Sequence, residues 1–513
     1  MVPPWVLLPE TVLWSPRVLR PMDLRRIRRD AEAFVRAVAN EYYLNGAGLK
    51  EEFETAPIYD KYGSLFKREV LEDLRDRRKG AEGDDGRRLR MLQSALTDEA
   101  LQDAVKAEND RRGTEEAKRE IRIDGEAVPY RLAAIRQQNE DDRPRRRRIF
   151  EARLEVVRDL NEILVARWSK LHDFAMGLGY DHYAHLFADI KGIDFTHLHT
   201  LLGRFVKQTD SLYRDAMDAL LKPLGITLEA AEAHDINYLF RGKAYDGYFR
   251  KEEAVATLKR TLGGMGFDLD RQTNIRLDTE ERPRKSPRAF CVTLQVPEEV
   301  VLVTMPHGGH DDFSTILHEA GHAEHFGNVA KKLPFEFKYL GDNSVTEGWA
   351  FVLEYITLDP AWLRAHVGLE DAADFLRFTF AYKLFFLRRY AAKLNYELQL
   401  HTKGAEGMPE TYAAELGKVL GYQLPPEYYL IDVDDGFYAA QYLRAWIFDA
   451  QMRAALREEH GDGWWSTETA GAFLKRQWST GQKYSVEELL KGVGYAGLDL
   501  DPFTEEIESH LFP

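Results

Sequence analysis

Residues Asp371 to Leu400 read DAADFLRFTFAYKLFFLRRYAAKLNYELQL, thirty residues with neither proline nor glycine. Apolar side chains recur at three- and four-residue intervals throughout, the period of a helix that buries one face. Leu154 to Phe174 and Leu198 to Leu221 repeat the pattern. Together they predict a mainly α-helical protein.

Composition sets the frame around these helices. A chain of 513 residues, 44% hydrophobic and 12% aromatic, has enough apolar mass for about two to four domains. A formal net charge of -15 and a pI near 5.6 argue against general affinity for nucleic acid or anionic membrane. No window approaches the roughly 20 apolar residues of a membrane-spanning helix. The single cysteine, Cys291, needs no oxidising compartment and reads as a small packed residue. Met1 to Glu10 has no basic start, and prolines interrupt its apolar run, so it makes a poor signal peptide. The expected location is cytoplasmic.

Four stretches depart from the helical texture. Arg77 to Arg88, charged and glycine-containing, reads as an exposed, mobile loop between helices. Ile121 to Tyr130 alternates around Asp124-Gly125 and predicts a small hairpin with a type I′ turn. The basic run Arg143 to Arg148 opens a helix; acidic neighbours (Glu140, Asp141, Asp142, Glu151) favour a solvated face over a nucleic-acid site. Arg288 to Met305 holds two β-rich runs broken by Pro297-Glu298-Glu299, an antiparallel pair placed just before the segment that carries the chemistry.

That segment, Asp311 to Phe326, reads DDFSTILHEAGHAEHF. Asp311 or Asp312 can cap a helix in which His318 and His322, four residues apart, share a face and can meet one metal ion. Glu319 is then placed to take a proton from an attacking water and return it to the leaving amine. Chance alone yields such a motif in roughly four of a hundred sequences with this histidine content, so its surroundings matter. They are small or apolar (Ile316, Leu317, Ala320, Gly321, Ala323), as in a buried helix, and Gly321 implies a close neighbour because glycine costs about 1 kcal/mol against alanine inside a helix.

A catalytic zinc takes three protein ligands and keeps one open position. A third histidine at metzincin spacing is excluded by Asn328. Asn343 to Ile356 supplies Glu347, 25 residues after His322, although Ser344 and Glu347 also fit a capping box. Glu354, two turns on, can orient a ligand histidine or serve in a peripheral ion pair. His325 lies near the motif face, with polar packing as the alternative to a supporting role.

These residues resemble the M3 family of metallopeptidases, the thimet oligopeptidase and oligoendopeptidase F group. The family signature His-Glu-x-Gly-His-x-x-His is similar to His318 through His325. Lys285 to Cys291, Val301 to Asp312, Gly436 to Tyr442 and Gly481 to Gly494 resemble further family segments, so the likeness runs from about Arg284 to the C-terminus. It implies a two-lobed helical metallopeptidase (residues 1–200 an N-terminal lobe, 201–513 the catalytic lobe) with a deep channel and a small sheet beside the motif helix. It also implies one zinc per chain and short peptides as substrates, paired along the strand at Val301 to Met305.

By family position the oxyanion donor is Tyr442, with Tyr438 as alternative; helix packing is the competing role for both. The chain departs from the family in having Val433, Asp434 and Asp435 where a histidine is usual, and Ala445 where a further tyrosine is usual. Asp434 and Asp435 would then favour a basic side chain or a free amino terminus. Two rivals remain open: a zinc carboxypeptidase of related helical fold, and a helical scaffold with a closed structural metal site. The second would need a fourth ligand such as His307, His310 or His325.

Overall fold

A computed structural model describes residues 23–511, so the reading of Met1 to Glu10 lies outside them. The protein is mainly α, 71% helix with two small sheets. No helix among the described residues is long and apolar enough to cross a membrane. The stretch Asp371 to Leu400 forms the helix Ala373–Lys403, with Asp371 accepting the Ala373 amide at its start (3.1 Å). Leu154 to Phe174 lies within Arg143–Gly177, which Asp142 caps at Arg145 N (2.8 Å).

Leu198 to Leu221 is two helices, Phe195–Gln208 and Asp210–Leu221. The break falls at buried Thr209, whose hydroxyl donates to Phe205 O (2.8 Å) while Arg388 draws off Val206 O (2.6 Å). Arg77 to Arg88 is no exposed loop. It joins the helices Arg68–Lys79 and Gly83–Ala104 through three residues, 80–82. Its charges sit where helix ends accept them, with Arg77, Arg78 and Lys79 in a last turn and Asp84 and Asp85 in a first.

The hairpin is β1 (Glu120–Ile123) paired antiparallel with β2 (Glu126–Pro129), and Asp124 and Gly125 take the positive φ (51° and 89°) of its turn. The basic run beside it is consumed internally. Arg146 is buried and, with Arg143, grips Asp235 at 3.0 and 2.8 Å; Arg145 and Arg148 pair with Asp124. The solvated-face reading therefore fails at Arg146.

The second sheet has three strands in the order β3 (Ile275–Asp278), β5 (Glu299–Val303), β4 (Phe290–Gln295). β4 and β5 are antiparallel as expected, and β3 adds a parallel neighbour. β5 is thus central: Val300 and Leu302 face the main core while Val301 and Val303 pack on Tyr43 and Ala47 beside the helix Leu24–Gly46. Val301 to Met305 consequently has no free edge for a peptide; the open edge on that side belongs to β4.

Against the sheet lies the motif helix His310–Gly327. Its start is Gly309, and Asp312, instead of capping it, accepts the amides of His307 (2.7 Å) and Gly308 (2.9 Å). The helices Asn343–Glu354 and Tyr438–His460 stack behind it, and two glycines set the spacing. A Cβ on Gly321 would stand 2.6 Å from Ala350 Cα, and one on Gly348 would stand 2.4 Å from the Phe448 ring. One continuous apolar cluster joins residues from Ile27 to Leu511, and position 200 falls inside the helix Phe195–Gln208.

Candidate metal centre

Helical spacing and the Gly321 contact bring three donors together. His318 Nε2 lies 3.2 Å and His322 Nε2 3.8 Å from Glu347 Oε2. Donors about 2 Å from a tetrahedral metal are separated by distances of this order. Glu347 does not close a capping box, because Asp342 caps its helix by accepting Ser344 N (2.9 Å). Its Oε2 is buried and turned toward the two imidazole Nε2 atoms, whereas Oε1 accepts from the Tyr438 hydroxyl (3.0 Å).

The far sides of both imidazoles are engaged. His318 Nδ1 meets Glu354 Oε2 at 2.9 Å, and His322 Nδ1 lies 3.4 Å from Thr346 Oγ1. Each ring thus turns Nε2 toward the shared space, the orientation that outer carboxylates and hydroxyls impose on metal-binding histidines. A buried carboxylate oxygen and two imidazole nitrogens turned on one space form a donor set that fits a cation. Among the described residues no other cluster of three His, Cys, Asp or Glu side chains has such geometry. His310 is packed between Phe249 and Phe375, and His325 is buried against Gly481 O (3.3 Å), so neither joins the set. The donor set stops at three.

Glu319 projects beside these donors from the same helix, and Cys291 N of β4 donates to its Oε2 (2.8 Å). Burial raises its carboxyl to about 7, although the His318 charge and the Cys291 amide oppose the rise. Burial pushes His318 down, but its hydrogen bonds with Glu347 and Glu354 prevail and hold it near 10. His322 has no such carboxylate bond, and burial takes it down to about 4. Glu354 also accepts from Lys383 (2.7 Å); burial works against its ionised form, yet Lys383 and His318 keep its carboxyl far below the ordinary range. Cys291 is a partly covered residue whose thiol burial drives well above its usual range, so it remains a thiol.

Tyr438 reaches the donors and Tyr442 does not touch them directly. Tyr442 stands one turn on, its ring 4.6 Å from Tyr438 and edge-on to Phe351 at 5.6 Å. Burial, with the Glu347 charge adding to it, raises both phenols and keeps them hydrogen-bond donors. Asp434 and Asp435 are spoken for: Asp434 pairs with Lys393 (2.7 Å), and Asp435 takes a two-pronged grip from Arg167 (2.8 and 2.5 Å). They are neutralised from within and offer little to a substrate cation.

Three supporting groups escaped the sequence reading. Lys383 lies in a helix that reads only as core, the Cys291 amide is a backbone group, and Thr346, next to Glu347, belongs to no motif. Lys285, quoted for the family likeness, is structural: its buried ammonium donates to Asp278 Oδ1 (2.9 Å) and to the carbonyls of Asp278 and Glu280. No protein-family model matches the chain, and no curated protein matches it.

Proposed function

We propose that the chain is a zinc-dependent metallopeptidase of the M3 type that hydrolyses short peptides in a channel between two mostly helical lobes. The observation that supports this best is the convergence of His318, His322 and Glu347 on one space, with no fourth protein donor among the described residues and Glu319 alongside. A closed structural site would need that fourth ligand. Zinc, when held there, supplies a Lewis acid that polarises the scissile carbonyl and acidifies the attacking water.

The chain's own residues do the rest. Glu319, aimed by the Cys291 amide, accepts the proton of the attacking water and passes it to the leaving amine. Glu354 and Thr346 orient the histidines. Tyr438 gives its one hydroxyl proton to Glu347 and steadies it, which leaves the Tyr442 hydroxyl as the donor for a developing oxyanion. β4 is the outer strand of its sheet, and beyond the Cys291 amide given to Glu319 its edge offers an extended peptide backbone pairing. A lone cysteine suits work in the cytoplasm.

Glu319→Gln tests the proposal. Zinc content is expected to stay at one per chain while peptide hydrolysis falls by about 10²–10⁴-fold. Hydrolysis at the wild-type rate with zinc bound would overturn it. Mass spectrometry of the wild-type products separates the modes, since internal cuts mean an endopeptidase and stepwise loss from the C-terminus means a carboxypeptidase.

A further inference from the structure

A cavity of about 600 Å³ opens between helices of the N-terminal half and the elements flanking the metal ligands. One wall is built from the ends of Arg68–Lys79, Gly83–Ala104 and Tyr183–Lys191; the other includes Asp342, Arg444 and residues 482–488. Its charged lining is almost wholly paired. Arg78 grips Asp189 (2.5 Å), Arg87 grips Glu488 (2.5 Å), Lys191 meets Asp98 (2.5 Å), Lys483 meets Asp84 (2.8 Å), and Arg444 is held by Asp342 and Glu487.

Arg90 is the exception: among the described residues it makes no hydrogen bond and no ion pair. Glu488 and Asp342 are the acidic groups that face it, and neither comes within ion-pair distance. Burial, followed by the like charges of Arg78 and Arg87, disfavours its cationic form. Its guanidinium lies over Gly192, where a Cβ would come within 3.0 Å of Nη1, so the backbone there leaves room for this side chain. A planar fork with five donors and no acceptor matches a carboxylate.

The cavity lies along the helices that carry the site. Asp342 precedes Glu347 by five residues, and Arg444 follows Tyr438 by six, displacements of about 8 Å at 1.5 Å per helical residue. An extended peptide of about two to three residues covers such a distance.

We infer that Arg90 is a carboxylate receptor that binds the free C-terminus of a peptide lying across the metal site. The inference rests on the peptidase reading for the identity of its ligand. It makes Arg90 a specificity residue that acts on binding, so it should move KM and leave kcat nearly unchanged.

The test uses two peptides identical except for a free carboxylate or a carboxamide at the C-terminus, titrated calorimetrically into the full-length Glu319→Gln protein. The acid is expected to bind about 10- to 100-fold tighter than the amide, the scale of a charge-assisted hydrogen bond. That preference should disappear in Glu319→Gln with Arg90→Gln, and return in part with Arg90→Lys. Equal binding of acid and amide, or a preference that survives Arg90→Gln, overturns the inference and leaves the peptidase reading intact.

Succinate provides an independent arm. Should no peptide bind or be cut, the peptidase reading fails; succinate that still binds wild type and not Arg90→Gln then supports a carboxylate site for a free small acid. Loss of both the peptide preference and succinate binding refutes the receptor altogether. Arg90 breaks no internal pair when replaced, so the variants should keep the wild-type melting temperature, which is the control for folding.

Discussion

Gly321 lies where the motif helix crosses Asn343–Glu354, and a side chain there would meet backbone: Ala350 Cα at 2.6 Å and Trp349 O at 3.0 Å. Two effects oppose each other in Gly321→Ala. Alanine gains about 1 kcal/mol of helix propensity, while overpacking against atoms that cannot rotate away costs about 1–3 kcal/mol. With backbone on the other side the overpacking wins, so Gly321→Ala should destabilise and should also weaken metal binding by shifting Glu347. Gly203 is the control, a helical glycine in Phe195–Gln208 with nothing within 4 Å of its would-be Cβ. Gly203→Ala should stabilise by about 0.4–1 kcal/mol. Denaturant midpoints of the two variants must move in opposite directions. Glu354 allows a second prediction at this scale. Glu354→Gln weakens the acceptor that holds His318, so zinc affinity measured by competition with a chelator should fall about 10- to 100-fold.

Between elements, Glu488 does two jobs at the start of the helix Val486–Lys491. It closes a capping box with Ser485 and accepts from Arg87 of Gly83–Ala104 at 2.7 and 2.5 Å. The Arg87 bonds are the largest influence and, with the Ser485 amide, outweigh burial to hold the carboxyl at about 2. A carboxyl lowered on folding stabilises above the pH at which unfolded glutamate titrates, about 4.3, and that contribution is lost as the pH falls toward 2. The stability gap between wild type and Arg87→Gln, read by urea unfolding, should therefore be constant near neutrality and narrow progressively below about pH 4.3.

The same pair shows which elements could be read from the chain. Asp371 to Leu400 and the Asp124-Gly125 hairpin are written in local pattern, apolar period and turn chemistry, and both stand where expected. Arg77 to Arg88 misleads because helix-end charges and glycines resemble a loop when the neighbouring element is unseen. β3, with only Ile275 and Leu277 apolar, is too short to show a period and exists through its pairing with β5. The place of β5 at the sheet centre is likewise a tertiary fact. So are the partners of Arg146, Asp434 and Asp435, which no local window contains.

For the molecule as a whole, the question is whether the metal holds the fold or merely occupies it. The site lies on helices that pack through Gly321, Gly348 and a cluster running from Ile27 to Leu511, none of which depends on a cation. Its charges are also partly compensated from within, Glu354 by Lys383 and His318, and Glu347 by His318. Metal removal should therefore leave helical content unchanged. Stability should then rise with free zinc as a ligand linked to the native state requires, by about 2.7 kcal/mol at one hundred times its dissociation constant. Circular dichroism and melting curves taken across a zinc titration after dialysis against chelator check both halves of this expectation. A structural site of the kind that organises a scaffold would behave differently, because its binding energy is folding energy and the helices would melt when the metal is withdrawn. Loss of helicity on chelation would favour that rival, and an intact fold with a zinc-dependent melting temperature is what a preformed three-ligand centre demands.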